Sequence, residues 1–104
     1  MVKFSGMILK RDELTIEEFK KYWVEVHAPI MLKVPGVLHY RLNVIDRKID
    51  GAFPYDAFSE VWFESEEAMD AALASPEFAI VREDVQKFQK RTDRIMIDET
   101  IIIE

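Results

Sequence analysis

The feature that most constrains this fold is the spacing of apolar residues, which changes from strand-like to helix-like and back along the chain. Alternation with a period of two is typical of a strand, and spacings of three and four are typical of a helix with one buried face. These patterns give the order strand, helix, strand, strand, helix, strand. The natural architecture for this order is one ferredoxin-like βαββαβ domain of the α+β class, spanning residues 1–104.

Four segments have strand-like patterns. Apolar alternation or continuous apolar runs predict strands at Val2–Lys10, Val37–Asp46, Ala57–Glu64 and Thr92–Glu104. Both faces of the first strand are largely apolar, so we expect it to be covered on both sides. In the second strand Tyr40 belongs to the apolar, inward set, and His39 belongs to the opposite face. The polar connection 47–56 is long for a hairpin, and such connections are often functional.

The first helix has a well-marked start. Thr15 is followed three residues later by Glu18, which predicts a capping box with Thr15 as N-cap. The predicted buried stripe consists of Ile16, Phe19, Trp23, Val26, His27 and Ile30. Because Pro29 disfavours helical geometry at the residue before it, we expect the regular helix to end or bend near His27.

The second helical region has two start signals. Ser65 is a predicted N-cap, and Ser75 followed by Pro76 predicts a restart with proline at the first helical position. The buried stripe after this restart is predicted to consist of Phe78, Val81, Val85 and Phe88.

Charge and composition exclude several classes of protein. The chain has 14 Lys and Arg against 20 Asp and Glu, a net charge of −6, so it lacks the basic surface that nucleic-acid binding requires. The absence of cysteine excludes disulfides, thiolate zinc sites and cysteine nucleophiles. No apolar run approaches the ~20 residues that span a bilayer. We therefore expect a cytoplasmic protein that binds neither nucleic acid nor membrane.

The predicted fold leaves one face of the sheet without helices. Two helices pack on one side of a four-stranded sheet, and the other side is too apolar to face water. A second copy that covers this face would remove the exposed apolar surface. We therefore expect a homodimer in which two sheets close into a barrel.

An ordered set of residues resembles the EthD-like family of the dimeric α+β barrel superfamily. The first part of the set is Lys10-Arg11, Leu14-Thr15, Glu18-Phe19, Tyr22-Trp23 and His27-Ala28-Pro29. The rest is Pro35-Gly36, Tyr40, Asn43, Glu60-Val61-Trp62-Phe63, Ser65, Glu67-Ala68, Ser75-Pro76-Glu77 and Glu104. The resemblance covers nearly the whole chain and rests on the ordered set rather than on any single motif.

The resemblance implies a homodimer with a pocket between the sheet and the helices of each protomer. Relatives in this family include methylmuconolactone isomerases, cofactor-free polyketide cyclases and fungal pigment dehydratases, and the namesake accompanies an oxidative system that degrades a tert-butyl ether. The isomerase-like branch is expected to bring a second histidine after the second strand. This chain has no histidine after His39, which argues against a methylisomerase or lactone reaction.

Two residues are the candidate catalytic groups. His27 lies on the apolar stripe of the first helix, where burial favours the neutral ring while the nearby helix C-terminus favours imidazolium. A histidine between these effects is suited to proton transfer near neutral pH, and the alternative is a core histidine that pairs with a carbonyl. Tyr40 matches the family's tyrosine and is expected to polarise a substrate oxygen, with a hydrogen-bonded core tyrosine as the alternative.

The remaining candidates concern the pocket walls. Trp23, Trp62 and Met7 are expected to line an apolar pocket, with ordinary core packing as the alternative. Phe53 and Tyr55, in the long connection, are candidates for a lid. Glu60 lies between two aromatic residues on one strand face, so it is either an acid or base with a raised pKa or, as we favour, an ion-paired group.

The leading hypothesis is a cofactor-independent enzyme for proton-transfer chemistry, such as isomerisation, cyclisation or dehydration. Its ligand would be an apolar, carbonyl-bearing or aromatic small molecule. The alternatives are a non-catalytic binding protein of an oxidative degradation pathway, a haem-binding or cofactor-free monooxygenase, and a purely structural dimer module. No metal site is expected.

Overall fold

The computed structural model describes residues 1–104 and has the predicted order of elements. Its strands are β1 (Val2–Lys10), β2 (His39–Val44), β3 (Ala57–Phe63) and β4 (Gln89–Ile97). Its helices are α1 (Ile16–Tyr22), α2 (Ala28–Met31), α3 (Glu66–Leu73) and α4 (Pro76–Val85). A π-helical turn, Trp23–His27, joins α1 to α2.

The four strands form one antiparallel sheet in the order β2-β3-β1-β4. The two terminal strands are therefore neighbours, and the two strands that follow one another in the middle of the chain lie to one side. This is the ferredoxin-like arrangement, so the predicted α+β fold is confirmed.

The last strand is shorter than predicted and begins earlier. β4 starts at Gln89 and ends at Ile97, where Ile97 pairs with Lys3. Because β1 begins at Val2, the chain beyond Ile97 has no neighbouring strand with which to pair. The three consecutive isoleucines that extended the prediction, Ile101, Ile102 and Ile103, lie outside the sheet and are exposed.

The predicted capping box at the start of α1 is present. Thr15 accepts a hydrogen bond from the Glu18 amide at 3.1 Å, and the Glu18 side chain accepts one from the Thr15 amide at 2.9 Å. Ser65 and Ser75 are the N-caps of α3 and α4, and their hydroxyls accept hydrogen bonds from the amides of Ala68 and Phe78. These starts were predictable because each depends on residues within one turn.

The first helix bends where Pro29 predicted, but it does not end there. Pro29 has no N–H to donate to the carbonyl of Glu25, and its ring would clash with that carbonyl in a regular helix. The backbone widens into the π-helical turn, in which the Ala28 amide donates to the Trp23 carbonyl, and then continues as α2. Trp23 and His27 both face the sheet from this turn and are almost fully buried.

The helices cover one face of the sheet, and two apolar clusters fill the layer between them. The larger cluster contains Phe4, Met31, Val34, Val61, Phe63, Met69, Ala72, Phe78 and Val81. The smaller cluster contains Ile8, Phe19, Trp23, Ala57 and Phe88. We call this the inner face of the sheet and the opposite one the outer face.

Candidate active site

The only buried ionisable side chains in the helical layer are on α4 and the π-helical turn. Asp84 and His27 are each 4% exposed. Their side chains meet directly, with 2.8 Å between Nδ1 of His27 and Oδ2 of Asp84. The two residues are 57 positions apart in the chain.

The second oxygen of Asp84 is also occupied. The Tyr22 hydroxyl, at the end of α1, donates a hydrogen bond to Oδ1 at 2.7 Å. The ammonium of Lys87 lies 3.7 Å from the same oxygen and is largely exposed. Phe88 is fully buried beneath this group, with its ring centroid 4.8 Å from that of His27 and 5.1 Å from that of Tyr22. Packing and hydrogen bonding together therefore hold the histidine in one orientation.

The electrostatics favour a neutral histidine beside an ionised carboxylate. Burial lowers the pKa of His27 below its usual 6.5, and this outweighs the opposite influence of Asp84. Burial raises the pKa of Asp84, but the hydrogen bonds from His27 and Tyr22 outweigh it, so that pKa lies below its usual 3.8. The helix continues past His27, so the dipole effect expected at a helix end is weak there. Burial is therefore the main influence on the pKa of His27.

This charge state determines which nitrogen carries the proton. A carboxylate can only accept hydrogen bonds, so Nδ1 of neutral His27 must hold the proton that bonds to Asp84. Nε2 then carries a lone pair. Nε2 has no hydrogen-bond partner in the protein, since His27 is paired only through Nδ1. No fully buried polar side-chain atom lacks such a partner. It follows that Nε2 is not fully buried, and His27 lines the cavity described next.

That cavity lies between the inner face of the sheet and the helices. Its volume is about 30 Å³, enough for one or two water molecules and far below the ~300 Å³ of a typical ligand pocket. A Cβ atom at Gly6, in the cavity wall, would lie 2.9 Å from Oγ of Ser59, so glycine keeps this space open. A larger ligand requires side chains at the mouth to move.

Three of the predicted site residues meet at this cavity. His27, Tyr40 and Trp23 all line it. Burial raises the pKa of Tyr40 to about 12, and a contact with Trp23 acts in the opposite direction. The Tyr40 hydroxyl is therefore a proton-bearing hydrogen-bond donor at neutral pH.

The other predicted pocket residues do not join them. Met7 and Trp62 lie on the outer face, because side chains alternate along a strand and Phe4 and Val61 occupy the inner positions. Phe53 packs over the outer face, in a groove shared with Met7. The Tyr55 hydroxyl donates to Asp93 at 2.6 Å. The expected single pocket of these residues with Trp23, under a lid, is therefore not formed within one chain.

Glu60 is an ion-paired group on the outer face, as favoured above. Its carboxylate lies 2.6 Å from Nζ of Lys3 and accepts a hydrogen bond from Asn43 at 2.9 Å. Burial raises the pKa of Glu60, but the bonds from Lys3 and Asn43 outweigh it and leave that pKa below its usual value. An acid or base with a raised pKa is thus contradicted at this position. His39 is also on this face, edge-on to Trp62.

Sequence reasoning missed Asp84 and Tyr22, the two residues that position His27. One signal was available, since Asp84 lies three residues after Val81 and four before Phe88 and so belongs to the buried stripe of α4. An acidic residue on a buried stripe needs a partner. The identity of that partner depends on how α4 packs against the first helix.

The buried pair makes stability depend on pH. The folded-state pKa of His27 lies below its unfolded value of 6.5. The contribution of the neutral, buried ring to the free energy of unfolding is therefore complete above pH 6.5, and it is lost as pH falls through the folded-state pKa. We expect the free energy of unfolding to decrease from neutral pH to about pH 5, more steeply in the wild type than in His27→Gln. Chemical denaturation across this range measures it, with the exposed His39→Gln as control. Equal slopes in the wild type and His27→Gln would contradict the neutral buried histidine.

The family of this chain follows from its sequence over most of its length. The EthD domain profile matches residues 11–92. This chain belongs to the EthD family. The family that the ordered residue set suggested is thereby confirmed. Among curated proteins, none matches this chain at a significant level.

Solved structures share the fold of this EthD-family protein. An ethyl tert-butyl ether d (EthD) family protein from Bacillus halodurans has a TM-score of 0.80 at 20% identity, with 96% of this chain and 100% of that chain covered. A dimeric ferredoxin-like protein of unknown function from Thermobifida fusca has a TM-score of 0.72 at 10% identity, with 94% and 90% covered. SnoaB, a cofactor-independent oxygenase from Streptomyces nogalater, has a TM-score of 0.68 at 14% identity, with 98% and 97% covered. At these identities the likeness shows the fold alone.

Two further properties concern membrane spans and metal sites. No helix is both long and apolar enough to cross a membrane. No three His, Asp or Glu side chains are grouped so that they could hold a metal ion.

Proposed function

We propose that this EthD-family protein is a cofactor-independent enzyme that catalyses proton transfer on an apolar, carbonyl-bearing or aromatic small molecule. Isomerisation, cyclisation and dehydration are the reactions that such chemistry serves. The observation that carries the proposal is the buried Asp84–His27 pair, which leaves Nε2 of His27 as an accessible base at the wall of an apolar cavity.

The chemistry would use His27 as the base and Tyr40 as the hydrogen-bond donor. Nε2 removes a proton from the carbon next to a substrate carbonyl, and the C–H electron pair forms the enolate double bond. The Tyr40 hydroxyl donates to the oxygen on which the negative charge develops. Asp84 stabilises the imidazolium that forms at His27. Return of the proton to a different carbon, or to a leaving hydroxyl, completes isomerisation or dehydration.

Trp23 would form a wall of the reaction cavity. The positions of Met7, Trp62 and Phe53 suggest a different role, since they lie on the outer face. Met7 and Phe53 border an apolar groove of about 340 Å³. A second copy that covers this face would bury the groove, and one relative of the same fold is described as dimeric. We therefore place these three residues in a homodimer interface.

A second candidate function is ligand binding without turnover, as in an accessory protein of an oxidative pathway. It would use the same cavity, with His27 as a hydrogen-bond anchor for the ligand rather than as a base. A third candidate is oxygenation without a cofactor, which the shared fold of SnoaB supports. In that case the same base would generate a carbanion that reacts with dioxygen.

The test is a turnover screen of enones, phenols, lactones and polyketide-like aromatics with the wild type, His27→Ala and Tyr40→Phe. We expect His27→Ala to lower kcat by about 10²–10⁴ and Tyr40→Phe to lower it less, since each removes one catalytic contact. His39→Ala, on the opposite face, is the matched control and should leave kcat unchanged. Full turnover by His27→Ala would refute the assignment.

Two other readouts separate the candidates. Thermal shifts on binding without product over long incubation would favour the accessory protein. Oxygen uptake in step with substrate loss would favour the oxygenase.

A further inference from the structure

A second concavity adjoins the His27 cavity, where α4 ends and β4 begins. Its volume is about 390 Å³, which is in the range of ligand pockets. Its lining contains four cations and no acid: the cations are Arg82, Lys90, Arg91 and Arg94. Val85, Gln89, Thr92 and Arg94 line both spaces. The concavity is therefore a positively charged space that borders the apolar cavity, and we call it the entrance.

Two of these four cations already have partners. Nζ of Lys90 lies 2.9 Å from a carboxylate oxygen of Asp12, and Nε of Arg91 lies 3.0 Å from one of Asp93. None of the ion pairs in the structure includes Arg82 or Arg94. A chain with 20 acidic residues thus leaves two arginines at this entrance without a carboxylate.

The unpaired arginines converge on one ring. The guanidinium carbon of Arg82 lies 5.0 Å from the centroid of Phe78, and that of Arg94 lies 5.4 Å from it. Arg82 comes from α4, whereas Arg94 comes from β4, opposite Gly6 on the inner face. Two like charges held beside one another repel, and a shared anion would relieve that repulsion.

The charges of the two arginines also influence the pKa values of neighbouring groups. Partial burial, and then the charge of Arg82, lower the pKa of Arg94, which nevertheless stays protonated. The charge of Arg94 also helps to lower the pKa of His27. Arg94 and His27 also line the same apolar cavity, so one small ligand there can contact both.

We propose that Arg82 and Arg94 bind the carboxylate of the substrate at this entrance, while its apolar or aromatic part enters the His27 cavity. The planar guanidinium group presents parallel N–H donors that match the two oxygens of a carboxylate. The inference rests on the proposed function for the identity of the reacting end, and it narrows the substrate class to aromatic or apolar carboxylic acids.

The test compares three probes with one ring system and different head groups: 1-naphthoate, 1-naphthamide and 1-naphthyl phosphate. Binding is measured by NMR titration of the ¹⁵N-labelled protein at fixed ionic strength. We expect the wild type to bind 1-naphthoate about tenfold or more tightly than the neutral amide, since hydrogen bonds between charged groups contribute about 1.5–3 kcal/mol. The largest shifts should be at Arg82, Arg94 and His27.

Variants locate the head group. Arg94→Gln and Arg82→Gln should each weaken 1-naphthoate by about tenfold and leave 1-naphthamide unchanged. Arg94→Lys keeps the charge but loses the two parallel N–H donors of the guanidinium group. It should weaken the binding of 1-naphthoate less than Arg94→Gln does. Lys90→Gln, in the same concavity but already paired, is the matched control and should change neither.

Three results would overturn the proposal. They are equal affinity for the naphthoate and the amide, equal weakening by Lys90→Gln and Arg94→Gln, and tighter binding of the naphthyl phosphate, which would replace a carboxylate by a phosphate. Other results would refute the proposed function without affecting the carboxylate site, or the reverse. A carboxylate preference without turnover of any acid would leave this site standing and refute the enzyme, whereas His27-dependent turnover of neutral compounds would do the reverse.

Discussion

Asp84→Asn is expected to invert the tautomer of His27 and remove most activity that depends on Nε2 as a base. The oxygen of the new amide will face Tyr22 and Lys87, since both are donors and both lie at Oδ1. The amide nitrogen then faces His27 and donates to Nδ1, which must give up its proton. The proton moves to Nε2. A wrong tautomer in a carboxylate–histidine pair lowers kcat by about 10⁴.

The tautomer can be measured without a known substrate. The ¹⁵N chemical shifts of the imidazole ring distinguish a protonated Nδ1 from a protonated Nε2. The wild type should show the first form and Asp84→Asn the second. The same form in both proteins would contradict the assigned orientation of the pair.

Asp84→Ala should act on stability as well. It leaves the Tyr22 hydroxyl and the His27 ring without their acceptor, and two hydrogen bonds to a charged group contribute about 3 kcal/mol or more. For a domain of this size that lowers the Tm by more than about 10 °C. The matched control is Asp93→Ala, since Asp93 also accepts from a tyrosine, Tyr55, but nearer the surface. This control should cost about 1 kcal/mol or less.

Phe88→Ala should cause the other large loss, about 3–5 kcal/mol in the free energy of unfolding. Its ring is fully buried and contacts three rings of the first helical segment, those of Phe19, Tyr22 and His27. The truncation leaves an empty space beside the histidine, into which water can enter. Since burial is the main cause of the lowered pKa of His27, we expect that pKa to rise towards its usual value.

Denaturant unfolding measures the stability loss, and NMR titration of the imidazole measures the pKa. Phe88→Leu keeps most of the volume and should cost less than Phe88→Ala. Ile80→Ala, on the exposed side of α4, is the control for a change of helix residue alone. A Phe88→Ala protein with unchanged stability, or with an unchanged His27 titration, would show that this ring does not hold the site.

The predicted and the missed parts of the site differ in the range of the interactions that define them. His27, Tyr40 and Trp23 were identified correctly as inward-facing, because helix and strand periodicity is a local property of the chain. The same alternation places Met7 and Trp62 on the outer face, away from Trp23, so the sequence pattern already separates them from the cavity. Asp84 was missed because its role is defined only by a partner on another helix.

By itself, the sequence determined the order of the elements, the three helix starts and the face on which each strand residue lies. These depend on contacts within a turn or on the period of the backbone. Only the tertiary structure decided where β4 ends, since that depends on where its neighbour β1 begins. It alone also decided that Asp84 meets His27 and that Arg82 and Arg94 share one ring. Side chains on different elements meet only when packing brings those elements together, and no local pattern records which pairs will meet.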